Sequence, residues 1–223
     1  RRGTWVAPNG MTGGAWVWQG VKPNHLAAEL HDLCSFMSDK ALANDLHNYR
    51  LDNGYGVEII EPLKKFRATY RDDARGNALD VTFTAMMPPV KFGDGMHFEQ
   101  AMKAEGELVL RGTHYPVNSY SMRDRSWGAL RPETNMPLPP VSWITGAFND
   151  SFFFNVIAFD HPALKPIWAD DFTLADELVL KAGWVYRDGV LSEIVECRKR
   201  TFHNPDTLFP ERVEMTLARI KKN

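Results

Sequence analysis

Short runs in which apolar and polar residues alternate recur along the chain, and tight-turn dipeptides separate them. Alternation with a period of two predicts β-strands that bury one face. The dipeptides Asn53-Gly54 and Asp188-Gly189 suit the positive-φ turns that close β-hairpins. The strands joined by these turns are predicted to be residues 49–51 with 55–60 and residues 184–187 with 190–195.

Two further strand pairs show the same alternation. They are residues 107–111 with 114–117, through Gly112-Thr113, and residues 66–70 with 79–85, through the charged segment 71–77. Residues 26–46 have mixed apolar spacing, which fits a helix and two strands joined by a loop equally well. The chain is therefore predicted to be mainly β.

Proline and glycine interrupt this pattern at residues 86–96, which contain Pro88-Pro89 and Gly93-Asp94-Gly95. Proline is excluded from central strands, so a domain boundary is expected here. The boundary gives an N-terminal β domain of residues 1–93 and a C-terminal β domain of residues 94–223. A second proline-rich segment, residues 129–140, is predicted to be a loop that could cover a barrel mouth.

Composition and charge narrow the class of protein. The 223 residues carry a formal charge of −2, which argues against a general basic field for nucleic acid or anionic membranes. No window approaches the roughly 18 apolar residues of a membrane span. The two cysteines, Cys34 and Cys197, are too few for a disulfide framework or a zinc site. We therefore expect a cytoplasmic protein with no integral membrane segment and no nucleic-acid partner.

The usual motifs of nucleotide cofactors and serine hydrolases are absent from the sequence. His97 and Glu99 lie two residues apart and would share one face of a strand. Such a pair could bind a metal or act as acid and base, or it could be a polar pair at the start of a strand. We predict no metal or organic cofactor.

The octet from Ser121 to Gly128 concentrates arginines, a carboxylate and a tryptophan. Because strand residues alternate between faces, one face would carry Tyr120, Met122, Asp124 and Ser126, and the other Arg123, Arg125 and Trp127. If Asp124 lines an apolar cavity, burial keeps it protonated as a general acid. If the arginines line the cavity, the site attracts an anion. Alternatively, an arginine–aspartate cluster simply ties the strand end to its neighbour.

Two motifs near this octet carry a family resemblance. They read Gly106-Glu107-Leu108-Val109-Leu110-Arg111-Gly112 and Arg123-Asp124-Arg125-Ser126-Trp127-Gly128. With Glu99-Gln100 before them, they resemble the lipocalin-like family that includes carotenoid 1,2-hydratase (hydroxyneurosporene synthase) and uncharacterised bacterial proteins. The uncharacterised branch has His where Arg125 stands. In the hydratase branch Asp124 and Trp127 have counterparts, whereas Met122 replaces a tyrosine and Ser126 an asparagine.

The resemblance implies tandem lipocalin-like antiparallel β-barrels, of which the first would be incomplete in this chain. It also implies that Asp124 protonates a C=C bond and that water captures the cation. An aromatic wall would come from Trp127, Trp143, Trp184 and Tyr186. The remaining predicted contacts to the substrate are Arg123, Arg125, Tyr120, Met122, His97 and Glu99.

These observations lead to a hydratase or dehydratase, or a related isomerase or cyclase, that acts on a hydrophobic isoprenoid or steroid-like substrate without a cofactor. The alternative is a non-catalytic carrier of a hydrophobic small molecule, whose carboxylate Arg123 or Arg125 would anchor. A third interpretation is a structural barrel with a filled core. Edge strands could pair two copies of the chain, although nothing in the sequence requires a homo-oligomer.

Overall fold

The computed structural model describes residues 3–7, 10–22, 24–37, 46–92, 95–127, 139, 141–164, 170–207 and 209–219. Within these ranges the regular structure is almost entirely β-strand, with three short 3-10 helices at His25–Ala27, Pro162–Leu164 and Asp176–Leu178. The mainly β class predicted from the alternating pattern is confirmed, and the strands are consistent with a lipocalin-like fold. None of the helices in these ranges has the length and apolar composition of a membrane span.

The strands are numbered in chain order. They are β1 (Gly3–Ala7), β2 (Gly10–Val17), β3 (Leu30–Met37), β4 (Asn48–Arg50), β5 (Gly56–Glu61), β6 (Lys65–Asp72), β7 (Asn77–Ala85), β8 (Val90–Phe92), β9 (His97–Leu110), β10 (Thr113–Ser126), β11 (Val141–Asn149), β12 (Phe152–Phe159), β13 (Leu180–Arg187), β14 (Val190–His203) and β15 (Pro210–Arg219). They form a sheet β1-β2-β3, a sheet β10-β9-β7-β6-β5-β4 in which β8 also pairs with β9, and a sheet β11-β12-β13-β14-β15.

The predicted hairpins are present. Gly54 has a φ of 83° between β4 and β5, and Asp188 and Gly189 have φ values of 50° and 83° between β13 and β14. The predicted turn at Gly112-Thr113 is wrong by one residue, because Arg111 and Gly112 have φ values of 49° and 79° and β10 already begins at the next residue. The turn geometry is that of the favoured two-residue hairpin loop.

Three other predicted segments can be compared with the structure. Strands β6 and β7 extend into the segment that we expected to join them. The undecided residues 26–46 contain strand β3 in their described part. The proline-rich loop predicted at residues 129–140 lies outside the described residues, apart from Pro139, which is buried.

Contacts divide the chain into two units. Unit 1 consists of residues 1–85 and 102–121, and unit 2 consists of residues 86–101 and 122–223. Strands β9 and β10 therefore contribute to both units. The first division falls at the start of the segment 86–96, in which proline and glycine interrupt the pattern. The boundary after residue 93 stays a prediction, since residues 93 and 94 lie outside the described ranges.

The core of unit 1 is formed mainly by inward-facing apolar residues of β6, β7 and β9, joined by Ala15 of β2 and Leu30 of β3. Strand β7 shows the alternation most clearly, because Leu79, Val81 and Phe83 are all buried while Asp80 on the opposite face pairs with Arg67. Removing such apolar surface from water is the main driving force for folding. The alternating pattern therefore orients this sheet.

The sheet β11-β12-β13-β14-β15 of unit 2 has two different faces. On one face Val156, Ala158, Ile194 and Cys197 form an apolar cluster. The other face carries Asn155, which lies directly opposite Trp184 in the β12–β13 pair. Trp143 on β11 shares that face, since it lies two residues before Thr145, the partner of Asn155. This second face positions the candidate site.

Candidate functional site

The first residues of β9 are buried even though two of them are ionisable. His97 is 8% exposed and Glu99 is 0% exposed. Since strand residues two apart point the same way, both side chains project from one face of β9, as the sequence predicted. Ionisable groups are seldom fully buried unless they have partners, so their surroundings are informative.

The end of β10 supplies two of those partners. His97 Nδ1 lies 2.8 Å from the Ser126 hydroxyl and 3.6 Å from Asp124 Oδ1. The Asp124 side chain is 50% exposed. Asp124 thus connects the buried histidine with solvent, and Ser126, which was not among the predicted site residues, also contacts the imidazole.

The opposite face of β10 faces Phe98. The Arg123 guanidinium lies 5.2 Å from the centre of the Phe98 ring, and the Trp127 ring lies 6.0 Å from it. The predicted alternation of the octet is therefore confirmed at these positions. A backbone bond from Trp127 N–H to the Met96 carbonyl, 3.0 Å long, fastens this end of the strand.

Two tryptophans from the sheet of unit 2 complete the cluster. The Trp143 ring lies 5.5 Å from the His97 imidazole, and Trp184 is 1% exposed. The indole N–H groups of both act on the Glu99 carboxyl and favour its charged form. They do so from outside ordinary hydrogen-bond geometry, because among the described residues neither oxygen of Glu99 has a hydrogen-bond partner.

Burial determines the ionisation of Glu99. Desolvation, assisted by the negative charge of Asp124, raises the pKa of Glu99 to about 8, against an ordinary value of 4.5, although the two indoles oppose the shift. A carboxyl with this pKa is mostly protonated at neutral pH and can donate a proton or a hydrogen bond. His97 Nε2 lies 3.8 Å from Glu99 Oε1, so a histidine stands between a buried acid and a solvent-exposed carboxylate.

The same three residues could hold a metal. Ligand atoms of His97, Glu99 and Asp124 all lie within 4.8 Å of one another, and imidazole with carboxylates suits several divalent cations. Ligation requires the ionised form of Glu99, whereas proton donation requires the neutral form. The two roles are therefore mutually exclusive states of one side chain.

The other predicted site residues lie at different places. Tyr120 belongs to unit 1, where Lys103 Nζ lies 4.6 Å from its ring centre. Arg125 is exposed and Met122 is partly buried. Tyr186 on β13 contacts Phe153, with the ring centres 6.3 Å apart. Their predicted contacts with a substrate stay predictions, while the structure brings together His97, Glu99, Asp124, Trp143 and Trp184.

Sequence reasoning missed Asn155. This residue is 0% exposed, and neither its amide nitrogen nor its amide oxygen has a hydrogen-bond partner among the described residues. Most buried polar groups in proteins are hydrogen-bonded. The signal was present in the sequence, because Asn155 interrupts the apolar run FFFNVIAF of β12.

Unit 1 contains a separate surface depression of about 270 Å³ on strands β4, β5 and β6. Its lining includes Arg50, Glu58 and Arg67, and Arg67 is ion-paired with Asp80. None of the predicted site residues lines this depression. The cluster of unit 2 is the stronger candidate because it combines a buried acid, a histidine and aromatic rings.

Comparison with known proteins assigns the family. A family model described as a domain of unknown function, DUF7064, matches residues 4–222. The chain belongs to the DUF7064 family. No curated protein and no solved structure matches it. The DUF7064 description states no activity, so the resemblance to carotenoid hydratases remains a prediction that rests on the motifs around Gly106 and Asp124.

Proposed function

We propose that this protein is an enzyme that adds water to, or removes water from, an apolar substrate by acid–base catalysis, with Glu99 as the acid. The observation that carries the proposal is a fully buried carboxyl beside His97 and the two indoles of Trp143 and Trp184, and this burial raises its pKa to about 8. The substrate class, an isoprenoid or steroid-like alkene or alcohol, comes from the family resemblance.

Hydration would begin with proton transfer from Glu99 to one carbon of a C=C bond. The π electrons form the new C–H bond, and the neighbouring carbon becomes a cation. A water oxygen attacks this cation, and His97 accepts the proton that the added water loses. Glu99 recovers a proton from His97 across the 3.8 Å that separates them. The net change is alkene plus water to alcohol, and the reverse sequence dehydrates the alcohol.

The two tryptophans have a role in this scheme that an aliphatic wall could not fill. The faces of aromatic rings attract cations, more strongly when the pair is removed from water. Trp184 is almost completely buried, and Trp143 already contacts His97. A carbocation formed at Glu99 would therefore arise close to the buried ring of Trp184 and the partly exposed ring of Trp143.

Asp124 takes a supporting part in this mechanism. It lies close enough to orient the His97 imidazole, and its charge helps to keep Glu99 protonated. The family resemblance instead implies that Asp124 itself donates the proton. The half-exposed position of its side chain favours a role in orienting His97, because a carboxyl has to be buried to act as a proton donor at neutral pH.

The proposal is tested with wild type, Glu99→Gln and Asp124→Asn and a panel of isoprenoid and steroid alkenes and alcohols in ¹⁸O-labelled water. We expect the wild type to form a product that differs from its substrate by one water. Turnover by Glu99→Gln should be at least about a hundredfold slower, which is the usual scale of general-acid catalysis. Asp124→Asn should retain more activity than Glu99→Gln. The exposed Glu105→Gln on the same strand serves as the matched control.

Three results would contradict the proposal. Unchanged turnover in Glu99→Gln would remove the assigned acid. A greater loss in Asp124→Asn than in Glu99→Gln would support the donor implied by the resemblance. Retention of a panel compound by the wild type without any turnover would favour a carrier.

A further inference from the structure

We propose that Asn155 and the indole N–H of Trp184 form a binding subsite for a neutral oxygen of the substrate, a hydroxyl or a carbonyl. The inference rests on the proposed function in one respect, since it identifies the polar end of the molecule on which Glu99 acts. The substrate is then an oxygenated hydrophobic molecule rather than a pure hydrocarbon.

The first argument is the number of buried polar atoms that lack a hydrogen-bond partner. Among the described residues these include both amide atoms of Asn155, Nε1 of Trp184 and both carboxyl oxygens of Glu99. All three side chains are at most 1% exposed. A buried donor or acceptor without a partner is costly, and here three residues of unit 2 share that property.

The second argument is their placement. Asn155 and Trp184 are direct cross-strand partners in the β12–β13 pair, so their side chains leave the same face of the sheet side by side. Trp184 also acts on the Glu99 carboxyl. The Trp184 indole therefore adjoins both the Asn155 carboxamide and the Glu99 carboxyl.

The third argument concerns which ligand chemistry suits these groups. The carboxamide of Asn155 offers both donors and an acceptor, and the indole of Trp184 offers one donor. A hydroxyl can donate to the amide oxygen and accept from an N–H, and a carbonyl can accept from both. Either oxygen group can therefore form hydrogen bonds with Asn155 and Trp184, whereas a hydrocarbon would leave both side chains without a partner.

A carboxylate ligand suits the subsite less well. The charge of Asp124 already acts on Glu99, and a second anion would be repelled. Arg123 lies on the other face of β10 against Phe98. Lys199 belongs to the opposite face of the sheet, where it bonds Ser142 at 2.6 Å and Asp160 at 2.7 Å. Arg123 and Lys199 are thus engaged away from the subsite.

The test measures binding rather than turnover and uses three probes with the same ten-carbon isoprenoid skeleton: geraniol, myrcene and geranic acid. Isothermal titration calorimetry is performed at pH 7 on wild type, Asn155→Leu, Trp184→Phe and Glu99→Gln. The exposed Asn118→Leu in unit 1 is the matched control for an asparagine-to-leucine change.

We expect the wild type to bind geraniol at least about tenfold more tightly than myrcene or geranic acid, because rejecting a ligand that leaves buried polar groups unpaired is an efficient form of selectivity. Asn155→Leu should lose the preference for geraniol while binding myrcene at least as well. Trp184→Phe should lose part of the preference, and Asn118→Leu none of it. Glu99→Gln should keep geraniol binding even though its turnover fails, which separates this inference from the proposed acid.

Thermal unfolding without ligand is the second measurement. Replacing an unpartnered buried amide by leucine of similar size should leave the unfolding temperature unchanged or raise it. Equal binding of geraniol and myrcene to the wild type, no binding of any probe, or an unaltered preference in Asn155→Leu would each overturn the inference. If Asn155→Leu unfolds at a lower temperature and keeps the preference for geraniol, the subsite holds an ordered water and no substrate oxygen.

Discussion

At the scale of single residues, the chemistry of this protein depends on where Glu99 is buried rather than on its identity. Glu105 and Glu107 stand on the same strand, but both are exposed. Glu99 differs because it is fully buried, and the loss of hydration raises its pKa even though Trp143 and Trp184, from distant parts of the chain, act in the opposite direction. A carboxyl in such surroundings favours the protonated form, and this preference affects stability as well as reactivity.

The stability of the wild type should therefore fall with pH in a defined window. The folded protein holds a proton on Glu99 up to about pH 8, whereas the unfolded chain loses it near the ordinary value of 4.5. Between these values the folded state binds more protons than the unfolded state, so the free energy of unfolding decreases as pH rises and levels off above about 8. Glu99→Gln lacks this dependence.

Urea unfolding of wild type and Glu99→Gln at pH 5, 7 and 9 measures this effect. We expect the variant to gain stability relative to wild type by a few kcal/mol across that range, at roughly 1.4 kcal/mol for each pH unit over which the two states differ by one proton. Parallel pH profiles for the two proteins would show that Glu99 ionises normally in the folded state.

Metal removal distinguishes the neutral acid from a metal ligand. If Glu99 is protonated, purified protein should contain no stoichiometric divalent metal, and EDTA should change neither turnover nor the unfolding temperature. Plasma mass spectrometry and calorimetric scans provide these readouts. One metal per chain, with a lower unfolding temperature after EDTA, would assign His97, Glu99 and Asp124 to a metal centre instead, because ligand binding to the folded state stabilises it.

At the scale of elements, the hairpin of β9 and β10 depends on two glycines with different functions. Gly106 has a φ of 148°, and a Cβ there would lie 2.1 Å from the Asp80 carbonyl oxygen on β7. Gly112 has a φ of 79°, with nothing within 4 Å of an added Cβ. The first glycine permits a close strand approach, and the second permits a turn.

Alanine substitutions should separate these functions. Gly112→Ala introduces only the cost of a left-handed conformation, about 1–2 kcal/mol. Gly106→Ala adds a clash with backbone that cannot rotate away, so we expect a larger loss of unfolding free energy, about 3 kcal/mol or more. Chemical denaturation of the two variants makes the comparison. Equal losses would show that β7 and β9 separate freely at Gly106.

The sequence allowed the local elements to be predicted better than the site. The dipeptides Asn53-Gly54 and Asp188-Gly189 are each sufficient to specify a turn. The alternation of the octet correctly placed Asp124 and Ser126 on one face of the strand and Arg123 and Trp127 on the other. The one-residue error at Arg111 arose because an arginine adopts a positive φ there, which residue preferences disfavour. The burial of Glu99 could not be predicted, since it depends on Trp143 and Trp184, which are far from it in the chain. Asn155 could have been singled out, because it interrupts the apolar run of β12.

At the scale of the whole molecule, the two units share strands. Residues 78–85 of β7 pair with residues 102–109 of β9, although the segment 86–101 between them belongs to unit 2. The chain therefore leaves unit 1 and returns to it. A division of the chain into two consecutive pieces would remove strands from unit 1.

A fragment of residues 1–93 should accordingly fail to fold alone. It would expose the edge of β7, and unpaired edges promote association between chains. We expect aggregation, or a loss of the cooperative unfolding transition, measured by analytical ultracentrifugation and circular dichroism. A longer fragment, residues 1–121, is the control and should retain the transition of unit 1. A monomeric, cooperatively folded 1–93 fragment would contradict the importance of the shared strands.

The approach of Trp184 to Glu99 also gives the protein an internal optical reporter. The electrons of an excited indole move from its pyrrole ring toward its benzene ring, so the emission wavelength depends on nearby charge. When Glu99 loses its proton, a negative charge appears beside an indole that is shielded from water. The fluorescence spectrum should therefore respond to the ionisation of the buried carboxyl, and Trp184→Phe should weaken that response, because only the Trp143 indole would then remain beside Glu99.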